Sequence, residues 1–221
     1  CRMYDFGQVD HTYVHGILLE GVGNRIAHNL FYNCPANVVR LEGNDHIVEF
    51  NIIHDALLET EDQGGMEMFG NPSYRGDIFR YNLYSNIGYN FTGPPTGAGI
   101  AGIRLDDGIC GIQVYGNVFH NSSRAFGGIN FNGGRDNIID NNIFTECEVG
   151  ISGTYHADNR IWATFDKGEL KERFIKNDLY YAKYPDMRHV LKEPVDNFVW
   201  RALFWNCGKT FDTYGKKRLE D

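Results

Sequence analysis

Residues 47–55 read IVEFNIIHD, and this pattern returns along the chain around a shared asparagine. Each copy carries a β-branched or aromatic residue three positions before that asparagine. The five copies are RIAHNLFYN (25–33), IVEFNIIHD (47–55), IFRYNLYSN (78–86), QVYGNVFHN (113–121) and IIDNNIFTE (138–146), and a sixth, NFVWRALFWNC, follows at 197–207. The uneven spacing between copies is typical of a solenoid with insertions.

A second, alternating segment follows each of the five copies. These segments are NVVRLEG (37–43), GGMEMFG (64–70), AGIRLDDG (101–108), GGINFNGG (127–134) and GISGTY (150–155). In the first four, alternate residues are apolar, so one face is predicted to point into a core and the other outward. Short strands repeated in this way predict an all-β fold, a right-handed parallel β-helix whose hand follows the crossover rule.

The repeated pattern also predicts that residues of two types, asparagine and cysteine, are buried. The shared residues Asn29, Asn51, Asn82, Asn117 and Asn142 are predicted to form a side-chain amide ladder from one repeat to the next. Cys34 and Cys147 take the same place after it, where a free thiol packs as a small hydrophobe.

Three segments are expected along the chain. Residues 1–155 are predicted to form β-helix coils, and residues 196–221 a resumed, truncated coil. Between them, residues 156–195 contain KGELKERFIKN and DMRHVLKEP, whose apolar spacing indicates a short helical excursion. The coil pattern resumes without an obvious cap. We therefore expect the remaining coils of the same, longer chain to pack against this one as a partner.

Composition disfavours several classes of protein. The formal charge of −8 and the absence of lysine before Lys167 disfavour nucleic-acid binding, which needs clustered cations. No run of about 18 apolar residues predicts a membrane span. The five cysteines contain no CxxC pair, so neither a disulfide framework nor a zinc site is indicated.

A functional groove is expected beside two insertions, at residues 57–74 and 86–101, which leave consecutive coils from similar points. The outward positions there form one row of Arg40, Glu67, Arg104, Asn130 and Ser152, and another of Glu42, Phe69, Asp106, Asn132 and Thr154. The spacing of parallel strands predicts Glu67 and Asp106 ~8 Å apart at the backbone, inside the ~6.5–9.5 Å window of inverting glycosidases.

The acids of this groove are the candidate catalytic residues. Asp106 and Asp107 are expected to lie opposite the loop acids Glu61 and Asp62. Repulsion between these crowded carboxylates should raise the pKa of at least one of them, which would supply a general acid. Glu67 is a further catalytic candidate. No cofactor is otherwise indicated, although such a cluster also suits Ca²⁺. Substrate-binding candidates are Arg104, Glu61, Phe69, Asn130, Asn132 and Arg135, and the aromatic residues Tyr74, Tyr89 and Phe91 are candidates for stacking on sugar rings.

Three segments, HDALLETEDQGG (54–65), GIRLDDGICGIQVYGNVFHN (102–121) and GGRDNIIDNNIFTEC (133–147), resemble the right-handed β-helix proteins of bacterial polysaccharide degraders. The set is similar to the glycoside hydrolase family that includes β-helical α-L-fucosidases and xylanases. The resemblance covers about residues 8–155 and resumes at YAKYPDM and DNFVWRALFWNCG. It implies an acidic pair at Asp62 and Asp106, with Asp107 as neighbour.

Three functions remain open on the sequence. A secreted, periplasmic or cell-surface glycoside hydrolase that acts on polysaccharide is favoured, because paired carboxylates suit acid–base cleavage of a glycosidic bond. A polysaccharide lyase or uronate epimerase would need a group that neutralises the uronate, a role open to Arg104 and Arg135. A non-catalytic carbohydrate-binding or adhesive protein would share the fold.

Overall fold

The computed structural model describes residues 1–94, 96–154, 160–166, 178–190 and 197–214. Within these residues the chain is mostly strands, which form three parallel sheets, and its only helices are short. The predicted all-β class with parallel strands is therefore confirmed.

The strands are short, and the chain visits the three sheets in turn. In chain order they are β1 (Arg2–Tyr4), β2 (Ile17–Val22), β3 (Arg25–Ala27), β4 (Leu30–Tyr32), β5 (Val39–Asn44), β6 (Ile47–Glu49), β7 (Ile52–His54), β8 (Gln63–Phe69), β9 (Ile78–Arg80), β10 (Leu83–Ser85), β11 (Ile100–Asp106), β12 (Gln113–Tyr115), β13 (Val118–His120), β14 (Ser123–Asn132), β15 (Ile138–Asp140), β16 (Ile143–Thr145), β17 (Val149–Thr154), β18 (Phe198–Trp200), β19 (Leu203–Trp205) and β20 (Lys209–Tyr214).

Each sheet takes every third strand. The orders are β1-β4-β7-β10-β13-β16-β19, β2-β5-β8-β11-β14-β17-β20 and β18-β15-β12-β9-β6-β3. We call the second of these the long sheet, because it contains the longest strands. Its strands β5, β8, β11, β14 and β17 correspond to the five segments predicted from the sequence, whereas β2 and β20 were not predicted. Part of the insertion expected at 57–74 is strand β8.

The inward side chains of the long sheet form the core, as the alternation predicts. The residues concerned are Val39, Leu41, Met66, Met68, Ile103, Leu105, Ile129 and Phe131, and all are buried. They pack with the inward residues of the two other sheets in one hydrophobic cluster. At Gly102 and Gly128 the rings of Phe119 and Phe144 lie where a β-carbon would be, so these glycines admit the aromatic stack.

The predicted asparagine ladder is present. Oδ1 of Asn82 accepts hydrogen bonds from both the backbone nitrogen and Nδ2 of Asn51, each at 3.0 Å. Asn82 in turn donates from Nδ2 to the Val48 carbonyl at 2.9 Å and to Oδ1 of Asn117 at 3.1 Å. Each rung thus satisfies buried backbone groups that the turn leaves without a sheet partner.

The cysteine prediction is also confirmed, since Cys34 and Cys147 are buried. Burial raises the pKa of the Cys34 thiol to about 12 and that of Cys147 to about 11. Both therefore stay protonated at neutral pH and pack as apolar groups.

A second ladder, which the sequence analysis missed, runs along the turn before the third sheet. The Asn24 amide donates to His46 Nδ1 at 3.1 Å, and the His46 amide donates to Asp77 Oδ1 at 2.8 Å. Farther along, the Ile112 amide donates to Asn137 Oδ1 at 3.0 Å, while Asn137 Nδ2 donates to a carbonyl. Asp77 therefore takes the position in this ladder that Asn137 takes farther along, where a side-chain amide nitrogen donates a hydrogen bond.

Burial raises the pKa of Asp77 to about 8, and the nearby Asp45 carboxylate adds to this. Its Oδ2 atom is buried with no hydrogen-bond partner among the described residues. Because the folded protein holds this proton more tightly than the unfolded chain, the stability contributed by Asp77 is complete below the ordinary pKa of 3.8. It is lost as the pH rises through about 8.

We therefore expect Asp77→Asn to stabilise the protein by about 2–4 kcal/mol at pH 9 and by much less at pH 4, because the amide cannot ionise. Urea unfolding of both proteins at the two pH values measures this. The exposed Asp186→Asn on the 3₁₀ helix is the control and should have no such effect. An equal difference between Asp77→Asn and the wild type at both pH values would contradict the assignment.

The C-terminal part contains α1 (Ile161–Asp166), α2 (Asp178–Lys183) and a 3₁₀ helix (Pro185–His189). Trp162, Phe165, Met187 and Val190 pack around Cys110 in a second apolar cluster. DMRHVLKEP was predicted to be helical, and most of its described part lies in the 3₁₀ helix that begins at Pro185. The predicted helix in 167–177, Leu191 and the restart at Asp196 lie outside the described residues. No helix in the described part is long and apolar enough to cross a membrane.

Candidate functional site

A cavity of about 770 Å³ opens on the outward face of the long sheet. It is lined by Tyr13, His15, Arg40, Asp62, Glu67, Phe69, Arg104, Asp106, Asp107, Asn132, Thr154 and Arg160. All four predicted catalytic acids are therefore in one cavity. Of the predicted binding residues, Arg104, Phe69 and Asn132 line it.

Strand register produces the charged floor of this cavity. Arg40, Glu67, Arg104, Asn130 and Ser152 pair in one row across five neighbouring strands, in the order predicted from the sequence. Since side chains alternate along a strand, Asp106 two residues after Arg104 faces the same side.

Arg104 joins the two acids that the family resemblance singles out. Its Nη2 atom lies 2.9 Å from Asp62 Oδ1 and 3.1 Å from Asp106 Oδ2, so these two oxygens are at most about 6 Å apart. The guanidinium also stacks over the Phe126 ring at 4.8 Å and is almost completely buried. Arg104, which was predicted to bind substrate, lines the cavity and contacts both acids.

Asp62 reaches the cavity from the loop before β8. Its backbone nitrogen donates to the Gly99 carbonyl at 2.8 Å, which ties this loop to the second insertion. The second insertion was predicted to wall the groove, but no described residue of 86–101 lines the cavity. Its Oδ2 atom accepts a hydrogen bond from the Tyr13 hydroxyl at 3.2 Å. With 47% of its side chain exposed, Asp62 is the most accessible of the four acids.

Asp106 and Asp107 lie at and just after the end of β11, where neighbouring side chains contact both carboxylates. Asp106 Oδ1 accepts hydrogen bonds from Asn132 Nδ2 at 2.9 Å and from the Asp107 backbone nitrogen at 3.0 Å. Asp107 Oδ2 pairs with the exposed Arg160 at 3.1 Å. Asp106 therefore has its position set from the sheet, and Asp107 from the turn.

Two of the acids titrate above their ordinary range. Burial raises the pKa of Glu67 to about 7, although Arg104 opposes the shift. Burial likewise raises the pKa of Asp106, again against Arg104. The direction agrees with the sequence argument, but desolvation outweighs the repulsion between carboxylates that the argument invoked.

Three predicted binding residues do not line the cavity. The Glu61 carboxylate instead accepts hydrogen bonds from Thr96 nitrogen at 2.6 Å and Thr96 Oγ1 at 2.7 Å, so it fastens the 86–101 loop. Arg135 pairs with Asp136 and donates to the Val190 carbonyl at 3.0 Å, at the helical segment. Asn130 is buried and donates to Ser152 Oγ at 2.8 Å.

Of the aromatic residues predicted to stack on sugar rings, only some lie at the cavity. Phe69 lines the cavity, is 38% exposed and lies under the Arg40 guanidinium at 5.2 Å. Phe91 is covered by Arg124 at 4.4 Å, while Tyr74 borders a separate depression beside Glu42. Tyr89 is exposed but outside the cavity.

Sequence reasoning missed Tyr13, His15 and Arg160, which approach the cavity from outside the long sheet. No repeat pattern marks these positions. His15 Nδ1 lies 2.6 Å from Asn37 Oδ1.

Within the described residues, no group of three or more His, Cys, Asp or Glu side chains is arranged to hold a metal ion. The acids of the cavity have arginine partners instead.

Comparison with family models, with curated proteins and with solved structures finds no significant match to this chain. The site's geometry therefore carries the functional argument.

Proposed function

We propose that this chain is a right-handed parallel β-helix of a secreted, periplasmic or cell-surface glycoside hydrolase, which cleaves polysaccharide in the cavity on its long sheet. Three parallel sheets visited in strict rotation support the β-helix, since that order is what a solenoid produces. The right hand follows from the general preference of parallel crossover connections.

The observation that carries the function is the placement of Asp62 and Asp106 on one guanidinium nitrogen, in a cavity with further acids. Glycoside hydrolysis needs two carboxyl groups on either side of the bond, one protonated and one ionised. The raised pKa of Asp106 suits the acid. Asp62, which accepts from Tyr13 and pairs with Arg104, suits the ionised partner.

The distance between the Asp62 and Asp106 carboxylates bears on whether cleavage retains or inverts the anomeric configuration. The oxygens that face Arg104 are at most about 6 Å apart. This limit lies below the ~6.5–9.5 Å of inverting enzymes and includes the ~5–5.5 Å of retaining ones. In the sequence analysis, the carboxylate separation of inverting enzymes was compared with a different pair, Glu67 and Asp106. For the pair Asp62 and Asp106, the geometry favours a covalent intermediate on Asp62.

Glu67 and Phe69 complete the chemistry of the floor. With a pKa of about 7, Glu67 is substantially protonated at neutral pH, so it adds a hydroxyl donor rather than a further negative charge. The exposed Phe69 ring gives an apolar surface on which a sugar ring can stack. A neutral or weakly charged polysaccharide fits this balance of charges.

A panel of plant and algal polysaccharides tests this function, with reducing ends and the absorbance of unsaturated uronate followed together. Reducing ends without absorbance are expected, with Asp186→Asn as a matched control of equal activity. Both signals would indicate a lyase instead, and an epimerase would show inverted uronate without either. Binding without any change in the polysaccharide would indicate a carbohydrate-binding protein.

A further inference from the structure

Tyr13 lies on the wall of the cavity, in the segment that precedes β2. Its hydroxyl donates to Asp62 Oδ2 at 3.2 Å across 49 residues of sequence. The other oxygen of the same carboxylate faces Arg104 at 2.9 Å. Asp62 is thus held at both oxygens, by one neutral donor and one cation.

Both partners of this hydrogen bond have unusual backbone conformations. Tyr13 has φ of 53° and Asp62 has φ of 63°, in the left-handed region. For a bulky residue such as tyrosine this region is uncommon and costs free energy of order 1–3 kcal/mol. Such conformations persist where the surrounding structure requires them. Aspartate tolerates this region, so the strain at this contact lies in Tyr13.

We propose that Tyr13 is a positioning residue, which keeps the Asp62 carboxylate aimed at the reacting carbon of the sugar. The inference rests on the proposed hydrolase function. Asp62 comes from a loop and is half exposed, so without Tyr13 its side chain would turn about Arg104 alone. Asp106 needs no such aid, because Asn132 and its own strand fix it.

The state of Tyr13 agrees with this role. Burial and the neighbouring Asp62 carboxylate raise the pKa of the Tyr13 hydroxyl. The hydroxyl therefore remains protonated over the working pH range and always donates. His15, two residues on, is tied to Asn37 and leaves Asp62 to Tyr13.

The test compares Tyr13→Phe with Tyr4→Phe on the polysaccharide that the wild type cleaves. Tyr4 lies on another sheet, stacked on Tyr32, and its variant should keep wild-type activity. For Tyr13→Phe we expect kcat to fall about 10-fold with KM within about twofold, because ground-state binding is retained and the nucleophile is misplaced. A kcat equal to that of the wild type overturns the inference while the hydrolase function stands.

A second readout does not depend on turnover. The titration of the Tyr13 ring, followed by NMR of ¹³C-labelled tyrosine, should give a lower pKa in Asp62→Asn than in the wild type, because the negative charge beside the hydroxyl is removed. An unchanged pKa overturns the inference. Absence of turnover by the wild type instead overturns the proposed function itself.

Discussion

Asp106→Asn should lower turnover by about 10²–10⁴-fold, the usual worth of a positioned proton-transfer group, and so should Asp62→Asn. The amide at 106 keeps the hydrogen-bonding shape that Asn132 recognises but has no proton to give to the leaving oxygen. The amide at 62 cannot form the covalent intermediate. Neither change removes a core contact, so both variants should fold.

The measurement is kcat on the polysaccharide cleaved by the wild type, with circular dichroism as a check on folding. Asp186→Asn is again the control, since Asp186 is exposed on the 3₁₀ helix. Near-normal activity of Asp106→Asn would contradict the assignment. Glu67 with Asp107 would then be the next pair to test, because both line the same cavity.

Arg104→Ala should destabilise the protein by about 3 kcal/mol, because it strands buried carboxylates without their cation. Arg104 is nearly buried and pairs with Asp106, whose side chain is also buried. The half-exposed Asp62 contributes less, since water screens that pair. These contacts predict a loss of stability together with a loss of order at the two acids.

Urea unfolding at pH 7 measures this effect, and Arg160→Ala is the matched control. Arg160 also pairs with a cavity acid, Asp107, but its side chain is 85% exposed. Its loss should therefore change stability by no more than about 1 kcal/mol. Equal unfolding free energies for the two variants would show that Arg104 does not stabilise the buried Asp106 carboxylate.

The repeat made most of the fold predictable. A pattern with a β-branched or aromatic residue three before each asparagine constrains which side chain can face inward, so Asn51, Asn82 and Cys34 were placed correctly by spacing alone. The second ladder escaped notice because His46, Asp77 and Ile112 share no residue type. Its rungs are recognised only from the backbone groups that they satisfy.

The residues of the site likewise fall into those that the sequence could predict and those that it could not. Residues on the long sheet, such as Glu67, Arg104 and Asp106, were predictable because register fixes which side chains are neighbours. Glu61 and Arg135 lie beyond the regular strands, where loop hydrogen bonds decide orientation. Tyr13 comes from a segment with no repeat, and only the fold brings it to Asp62.

The most direct test of the central claim is the configuration of the first product, followed by ¹H NMR of its anomeric proton as the wild type acts on its polysaccharide. With Asp62 and Asp106 at most about 6 Å apart at the oxygens that face Arg104, the account predicts a reducing end that appears first with the configuration of the cleaved bond. A product of inverted configuration, or one that carries an unsaturated uronate, would contradict it.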